Sequence, residues 1–229
     1  MKGIYVYALV SPSRVTPRSR GFRGERLRRI ALPGADVIVG AVSKAPAPTE
    51  VALRRYDAVI RTLADQYPAL LPARFGTTVS DVDELTMVLG ARGGAVKKAL
   101  KLVRNRVQMT IRIVGVGPVV NTAGRRGRPS GRPDARKPGT QYLQHRAEAA
   151  KQLKDVPELR PLRKAVTRWI KAERVEHHDK GRLVTAYHLI PRAALRAYQR
   201  ALERAALDAE VIAIVSGPWP PYAFASSDI

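Results

Sequence analysis

Apolar residues fall along this chain in two alternating rhythms. A short apolar run from Lys2 to Val10 reads as a strand, and a Pro- and Gly-punctuated loop carrying Arg14, Arg18, Arg20 and Arg23 follows it. Leu27 to Ala31 and Asp36 to Val42 flank Pro33-Gly34, the pattern of a hairpin. From Thr49 to Tyr67 the apolar positions Val51, Leu53, Tyr56, Val59, Ile60 and Leu63 keep helical spacing until Pro68 ends it. Leu70 to Phe75 is extended around Pro72, which places it at a sheet edge or bend. A helix starts at Ser80, with acidic residues in its first turn, basic ones in its last, and Gly90, Gly93 and Gly94 marking a kink or break.

Val107 to Val116 alternates Val107, Met109, Ile111 and Ile113 against Gln108, Thr110 and Arg112, the signature of a half-buried strand. Helices are expected over 141–153 and from Pro157 to Lys171, then a hairpin of Arg174–Asp179 and Arg182–Ile190 turning at Lys180-Gly181. Pro191 opens a helix whose buried face holds Leu195, Tyr198, Leu202 and Ala205, and Glu210 to Val215 forms a buried last strand. From Val107 the order is β-α-β-β-α-β, that of a ferredoxin-like split βαβ unit. The first half has a related order with a loop in place of its first helix. The fold expected is therefore α+β, two ferredoxin-like units in series with the first altered. Residues 1–105 form one domain and 106–229 the other, with a basic flexible loop at 117–139.

The chain closes on Ser216-Gly217-Pro218-Trp219-Pro220-Pro221-Tyr222-Ala223-Phe224. Three prolines fix φ and remove donors, so a stiff extended exit from the sheet is expected. On a polyproline-like path of three residues per turn, Trp219 and Tyr222 fall on one side. Since both adjoin a core strand, partial packing back onto their own sheet is expected rather than complete exposure.

Composition adds one large deviation. Among 229 residues, 41 are Lys or Arg and 19 Asp or Glu, a formal charge of +22. Such a field attracts nucleic acid, anionic lipid or an acidic protein face. The loop at 117–139 holds many of these arginines without interleaved aromatics, so it suits either a solvated segment or contact with phosphates, not base recognition. Cysteine is absent, which rules out disulfides and thiolate chemistry. No leader-like or membrane-length apolar segment stands in the sequence, so a soluble cytoplasmic protein is expected.

Chemistry-bearing groups are sparse. His177-His178-Asp179 is a clustered ligand set, but neighbours on a strand point to opposite faces; His188 on the paired strand offers at best a second ligand. Gly90-Ala91-Arg92-Gly93-Gly94 lacks the Gly-Lys-Ser/Thr ending of a phosphate loop and follows no strand. No catalytic, metal or cofactor residues are assigned, and an enzyme is not expected. Arg74-Phe75-Gly76-Thr77 suits a turn at a domain junction, where Arg74 has the fork to hold a carboxylate.

Three segments resemble one family in order and spacing: Leu71-Pro72-Ala73-Arg74-Phe75-Gly76-Thr77, Gly139-Thr140-Gln141-Tyr142-Leu143 and the closing Gly217-Pro218-Trp219-Pro220-Pro221-Tyr222-Ala223-Phe224. Together with the opening Gly3-Ile4-Tyr5-Val6-Tyr7, they resemble the gas vesicle GvpL/GvpF family over the whole chain. One departure is Asn105-Arg106, where the resemblance leads one to expect an acidic residue before a strand. The resemblance implies an accessory protein that binds the shell protein GvpA and other accessory proteins during vesicle assembly, in the cytoplasm and on the gas vesicle. It also implies that the protein can persist as a minor vesicle constituent. Arg74, Phe75, Trp219, Tyr222 and Phe224 are the expected partner-binding residues. The alternative from charge alone is a nucleic-acid-binding α+β module.

Overall fold

A computed structural model describes residues 3–44, 46–114, 156–178, 183–207 and 212–225. The helix expected over 141–153, the basic loop at 117–139 and the Lys180-Gly181 turn lie outside these residues. The chain divides into two compact units. The first holds residues 1–109, 189–195 and 217–229; the second holds 110–188 and 196–216.

In the first unit β1 (Gly3–Val10), β2 (Arg28–Leu32), β3 (Ala35–Val42) and β4 (Leu70–Pro72) form a sheet in the order β2-β3-β1-β4, with β5 (Thr78–Val79) also paired to β1. The Pro33-Gly34 hairpin forms as expected, with Gly34 at φ 91°. β4 is the edge strand that Pro72 demands. β1 carries a bulge between Val6 and Ala8. One extra residue resets the alternation, so Tyr5, Tyr7, Ala8 and Val10 all enter one core, whereas Ile4 and Val6 enter the other.

Helix α1 (Glu50–Gln66) is capped by Thr49, whose side chain accepts from the Ala52 amide. It buries Tyr56, Val59, Ile60 and Leu63 in the first core, each worth about 1.5–3 kcal/mol. Val51 and Leu53 share the spacing but are exposed; in their turn it is Ala52 that packs against the core. The loop after β1 supplies Phe22 and Leu27 to the same core, taking the place of a helix. The expected break after Gly90 divides the next helix into α2 (Val82–Gly90), capped by Asp81, and α3 (Gly93–Val103). Leu85 and Leu89 of α2 cover the second core. With both faces covered, seven of the eight β1 residues are buried.

The second sheet runs β7-β8-β6-β9, built from β6 (Arg106–Val114), β7 (Ala172–His178), β8 (Leu183–Pro191) and β9 (Ile212–Trp219). β8 separates β6 from β7, and β6 separates β8 from β9. Each crossover is thus split by another strand, the ferredoxin-like arrangement. The first sheet repeats this order with its own four strands.

Four sequence expectations need correction here. β6 is not half-buried: Gln108 and Thr110 are as buried as their apolar neighbours. The helix expected from Pro157 to Lys171 is shorter, α4 (Arg160–Val166) between two 3-10 turns. Pro191 ends β8, and a 3-10 turn precedes α5 (Leu195–Leu207), which fully buries Tyr198 and Leu202 but only half-buries Leu195 and Ala205. Finally, β9 runs on through Trp219, and its apolar residues are not core: Ile212 is 70% and Ile214 53% exposed. What covers a face of a strand is set by the element packed on it, which an apolar run does not show.

Candidate functional site

Arg74 to Thr77 forms a tight turn. The Thr77 amide donates to the Arg74 carbonyl at 3.1 Å, and Gly76 holds φ 90° at the third position. This is the place where a type II turn calls for glycine. The Gly76 amide in turn donates to the Tyr5 hydroxyl at 2.9 Å. The turn delivers Phe75 to an aromatic cluster, with ring centroids 5.4 Å from Tyr56, 5.9 Å from Phe22 and 6.4 Å from Tyr5. Arg74 points outward and makes no ion pair among the described residues, so the carboxylate contact expected of it is not formed.

The closing segment does not leave as an extended polyproline rod. Gly217 sits at φ 122° before a cis Pro218, Pro220 and Pro221 are buried, and Tyr222–Phe224 is a 3-10 turn. The segment packs back onto its own unit, as the aromatics beside a core strand suggested, because side chains there offer it specific partners. The Tyr222 hydroxyl donates to Asp57 Oδ1 at 2.8 Å, and the Ala223 amide donates to Gln108 Oε1 at 2.8 Å. The Arg61 guanidinium lies 4.2 Å from the centroid of the Trp219 indole. Asp57 and Arg61 are themselves paired at 2.7 Å, one helical turn apart on α1. Tyr222 also packs against the core that receives Phe75, so these two expected residues meet one cluster. Phe224 is half-buried at the end of the 3-10 turn.

Burial, and then the Asp57 charge and hydrogen bond, raise the Tyr222 hydroxyl far above the ordinary tyrosine range. Tyr7 and Tyr56 in the same cluster are raised as well, chiefly by burial. Tyr7 donates to the Glu25 carboxylate, and the Phe22 amide donates to Tyr7 at 3.1 Å. Tyr56 donates to the Ala73 carbonyl at 2.6 Å. These phenols tie the loop, α1 and the Arg74 turn to β1.

Asn105, at the position where the sequence departs from its expected acidic residue, adopts φ 54° between α3 and β6. Asn is among the few side chains that tolerate this left-handed backbone. Its amide donates to the Pro68 carbonyl at 2.6 Å, and its carbonyl accepts from the Arg192 amide at 2.9 Å.

In the second unit, His188 does not face His177 or His178 as a second metal ligand. It is fully buried, with Nδ1 2.7 Å from the Tyr198 hydroxyl and Nε2 3.0 Å from Glu173 Oε1. A carboxylate can only accept, so Nε2 carries a proton, and Nδ1 shares a hydrogen bond with the Tyr198 hydroxyl. Arg163 Nε completes the chain at 2.9 Å from Glu173. Desolvation opposes the Glu173 charge, but the bonds from His188 and Arg163 outweigh it and hold this carboxyl below its ordinary value. Among the described residues no group of three or more His, Asp or Glu side chains is placed to hold a metal. Sequence reasoning missed Asp57, Arg61 and Glu173, because charged residues on helix and strand faces carry no mark of their distant partners.

β9 presents a different surface. Among the described residues its only sheet neighbour is β6, and Ile212, Ile214 and Val215 are exposed along it. No described helix is long and apolar enough to cross a membrane.

Two solved structures share this fold across nearly their whole length. The gas vesicle protein GvpF from Anabaena sp. PCC7120 aligns with a TM-score of 0.72 at 14% identity, covering 99% of this chain and 97% of that one. GvpF from Microcystis aeruginosa aligns with a TM-score of 0.72 at 14% identity, covering 98% and 99%. No curated protein matches in sequence. Residues 3–226 match the family described as gas vesicle synthesis protein GvpL/GvpF. With the match spanning both units, the Arg74 turn and the Trp-Pro-Pro-Tyr tail, this chain belongs to the GvpL/GvpF family of gas vesicle synthesis proteins.

Proposed function

We propose that this protein is a non-enzymatic accessory protein of gas vesicle assembly that binds the shell protein GvpA and other accessory proteins. It acts in the cytoplasm and on the nascent vesicle, and remains as a minor constituent. The observation that carries the reading is the exposed apolar edge of β9 in a member of this family. A subunit with a very apolar surface aggregates unless that surface is covered before incorporation. A strand that ends its sheet among the described residues, with exposed Ile212, Ile214 and Val215, suits strand addition of such a subunit. On this reading Phe75, Trp219, Tyr222 and Phe224 buttress the first unit, and Arg74 is the exposed partner-facing group at its turn.

Co-expression with GvpA followed by capture at low and high salt tests this. Stable capture that keeps GvpA soluble is expected, weakened at least tenfold by Ile214→Lys, which puts a charge on the edge without touching the core. Retained capture by folded Ile214→Lys removes the edge from the mechanism. Trp219→Ala and Phe75→Ala test the buttressing role in the same assay. Failure to capture GvpA while nucleic acid co-purifies would favour the basic-module reading that the +22 charge suggests.

A further inference from the structure

Within the first unit a cavity of about 230 Å³ lies beside α1 and the closing Pro-rich segment. Its charged lining residues are Arg61, Arg106, Arg192 and Asp65, three guanidinium groups against one carboxylate, and the Trp219 indole and Pro220 form apolar wall. We infer that this cavity is a binding site for an acidic peptide segment of a partner protein, with a partner carboxylate held between Arg106 and Arg192 and an adjoining apolar side chain against Trp219. The inference goes beyond the proposed binding of GvpA to β9 and does not depend on it.

Three observations carry it. First, the guanidinium groups are held in place but not saturated. Arg192 gives Nη1 to Asp65 at 3.0 Å and Nη2 to the Ala64 carbonyl at 3.1 Å, Arg61 gives Nε to Asp57 at 2.7 Å, and Arg106 gives Nη1 to the Leu102 carbonyl. A guanidinium has five N–H donors, so each keeps donors for an incoming acceptor while its own pairings hold it in position. Such prior ordering removes part of the entropy cost of binding. Secondly, the indole is also preset: Arg61 lies on it at 4.2 Å, and the buried Pro220 and Pro221 hold the segment that carries it. Thirdly, size and sign select the occupant. The volume falls below the roughly 300–1,000 Å³ of small-molecule sites, which fits one or two side chains of a peptide. A nucleic-acid backbone needs a track of cations along successive phosphates, whereas here Asp65 interrupts the positive wall.

The 229-residue chain has two tryptophans, Trp169 and Trp219, and Trp169 lies in the second unit, so its indole N–H signal is an internal control. A blocked peptide of sequence Glu-Leu-Glu-Glu is titrated at constant ionic strength into ¹⁵N-labelled protein, beside its Gln-Leu-Gln-Gln counterpart and oligothymidylate. The expected result is a saturable shift of the Trp219 indole with Trp169 unmoved, and at least tenfold weaker binding of the Gln peptide. Arg106→Gln and Arg192→Gln each weaken the Glu peptide about tenfold, while Lys97→Gln, exposed on α3, leaves it unchanged. The Ile214→Lys variant also binds the peptide normally, which separates this site from the β9 edge. No Trp219 shift at millimolar peptide, an equal response to the Gln peptide, or tighter binding of oligothymidylate overturns the inference.

Discussion

Tyr222 and Asp57 stand 165 positions apart in sequence and are joined by a hydrogen bond of 2.8 Å from phenol to carboxylate. Asp57 accepts on its other oxygen from Arg61, whose guanidinium covers Trp219. A single turn of α1 thereby holds both Trp219 and Tyr222 of the tail. Tyr222→Phe keeps the ring packing and deletes the bond to a charged acceptor. It should lower stability by about 1–2 kcal/mol, read as a reduced midpoint in urea with an unchanged slope. An unchanged midpoint would show that the hydroxyl does not hold the tail.

All seven described tyrosines have hydroxyls raised above the ordinary value, with burial the largest cause in each. The unfolded chain releases these protons near pH 10, while the folded chain keeps them. Above that pH the unfolded state binds fewer protons, so stability falls as pH rises; below it the contribution is complete. The expected profile is a plateau from neutral pH to about pH 10, then a steep loss in which phenolate absorbance and circular dichroism change together. Tyrosines that titrate near pH 10 with the native spectrum intact would contradict it.

Glu173 has the opposite sign. Its folded carboxyl is held low by His188 and Arg163 against desolvation, so its contribution is present above the unfolded value near 4.3 and is lost as pH falls further. Glu173→Gln should cost about 1–3 kcal/mol at pH 7, and the gap from the parent should close below about pH 4. A gap that persists undiminished at pH 3 would mean that packing, not the charge, is what the substitution removes.

Two glycines should respond in opposite directions. Gly217 has φ 122°, and a Cβ there would stand 2.9 Å from the Gln108 carbonyl oxygen. Gly217→Ala is expected to cost at least about 2 kcal/mol. Gly94, inside α3, has no atom within 4 Å of an added Cβ. Gly94→Ala should stabilise by about 0.4–1 kcal/mol by restricting the unfolded chain. Thermal melts of the two variants beside the parent read both signs.

Element order was largely legible in the sequence, because periodicity, prolines and caps act locally. Thr49 and Pro68 bound α1, Gly90 and Gly93 bound the helix break, and Pro33-Gly34 turns the first hairpin. Burial was less legible. Val51 and Ile214 satisfy the apolar pattern yet stand exposed, while Gln108 and Thr110 break it yet are buried. Which face of an element is covered depends on what another element brings to it. The candidate site was legible in part: Phe75, Trp219 and Tyr222 were singled out, and Phe75 and Tyr222 meet one core cluster, but Asp57 and Arg61, which hold Tyr222 and Trp219, were not.

The sequence by itself determined the α+β class, the split βαβ order, the family and the turn at Gly76, since each rests on local backbone preference or on motifs of adjacent residues. The tertiary structure alone decided that Asp57, Arg61 and Gln108 receive the tail, that His188 is consumed by Tyr198 and Glu173, and that three guanidinium groups line one cavity. Those outcomes join side chains up to 165 positions apart, and their energy comes from desolvation and paired charge that exist only once the chain has closed.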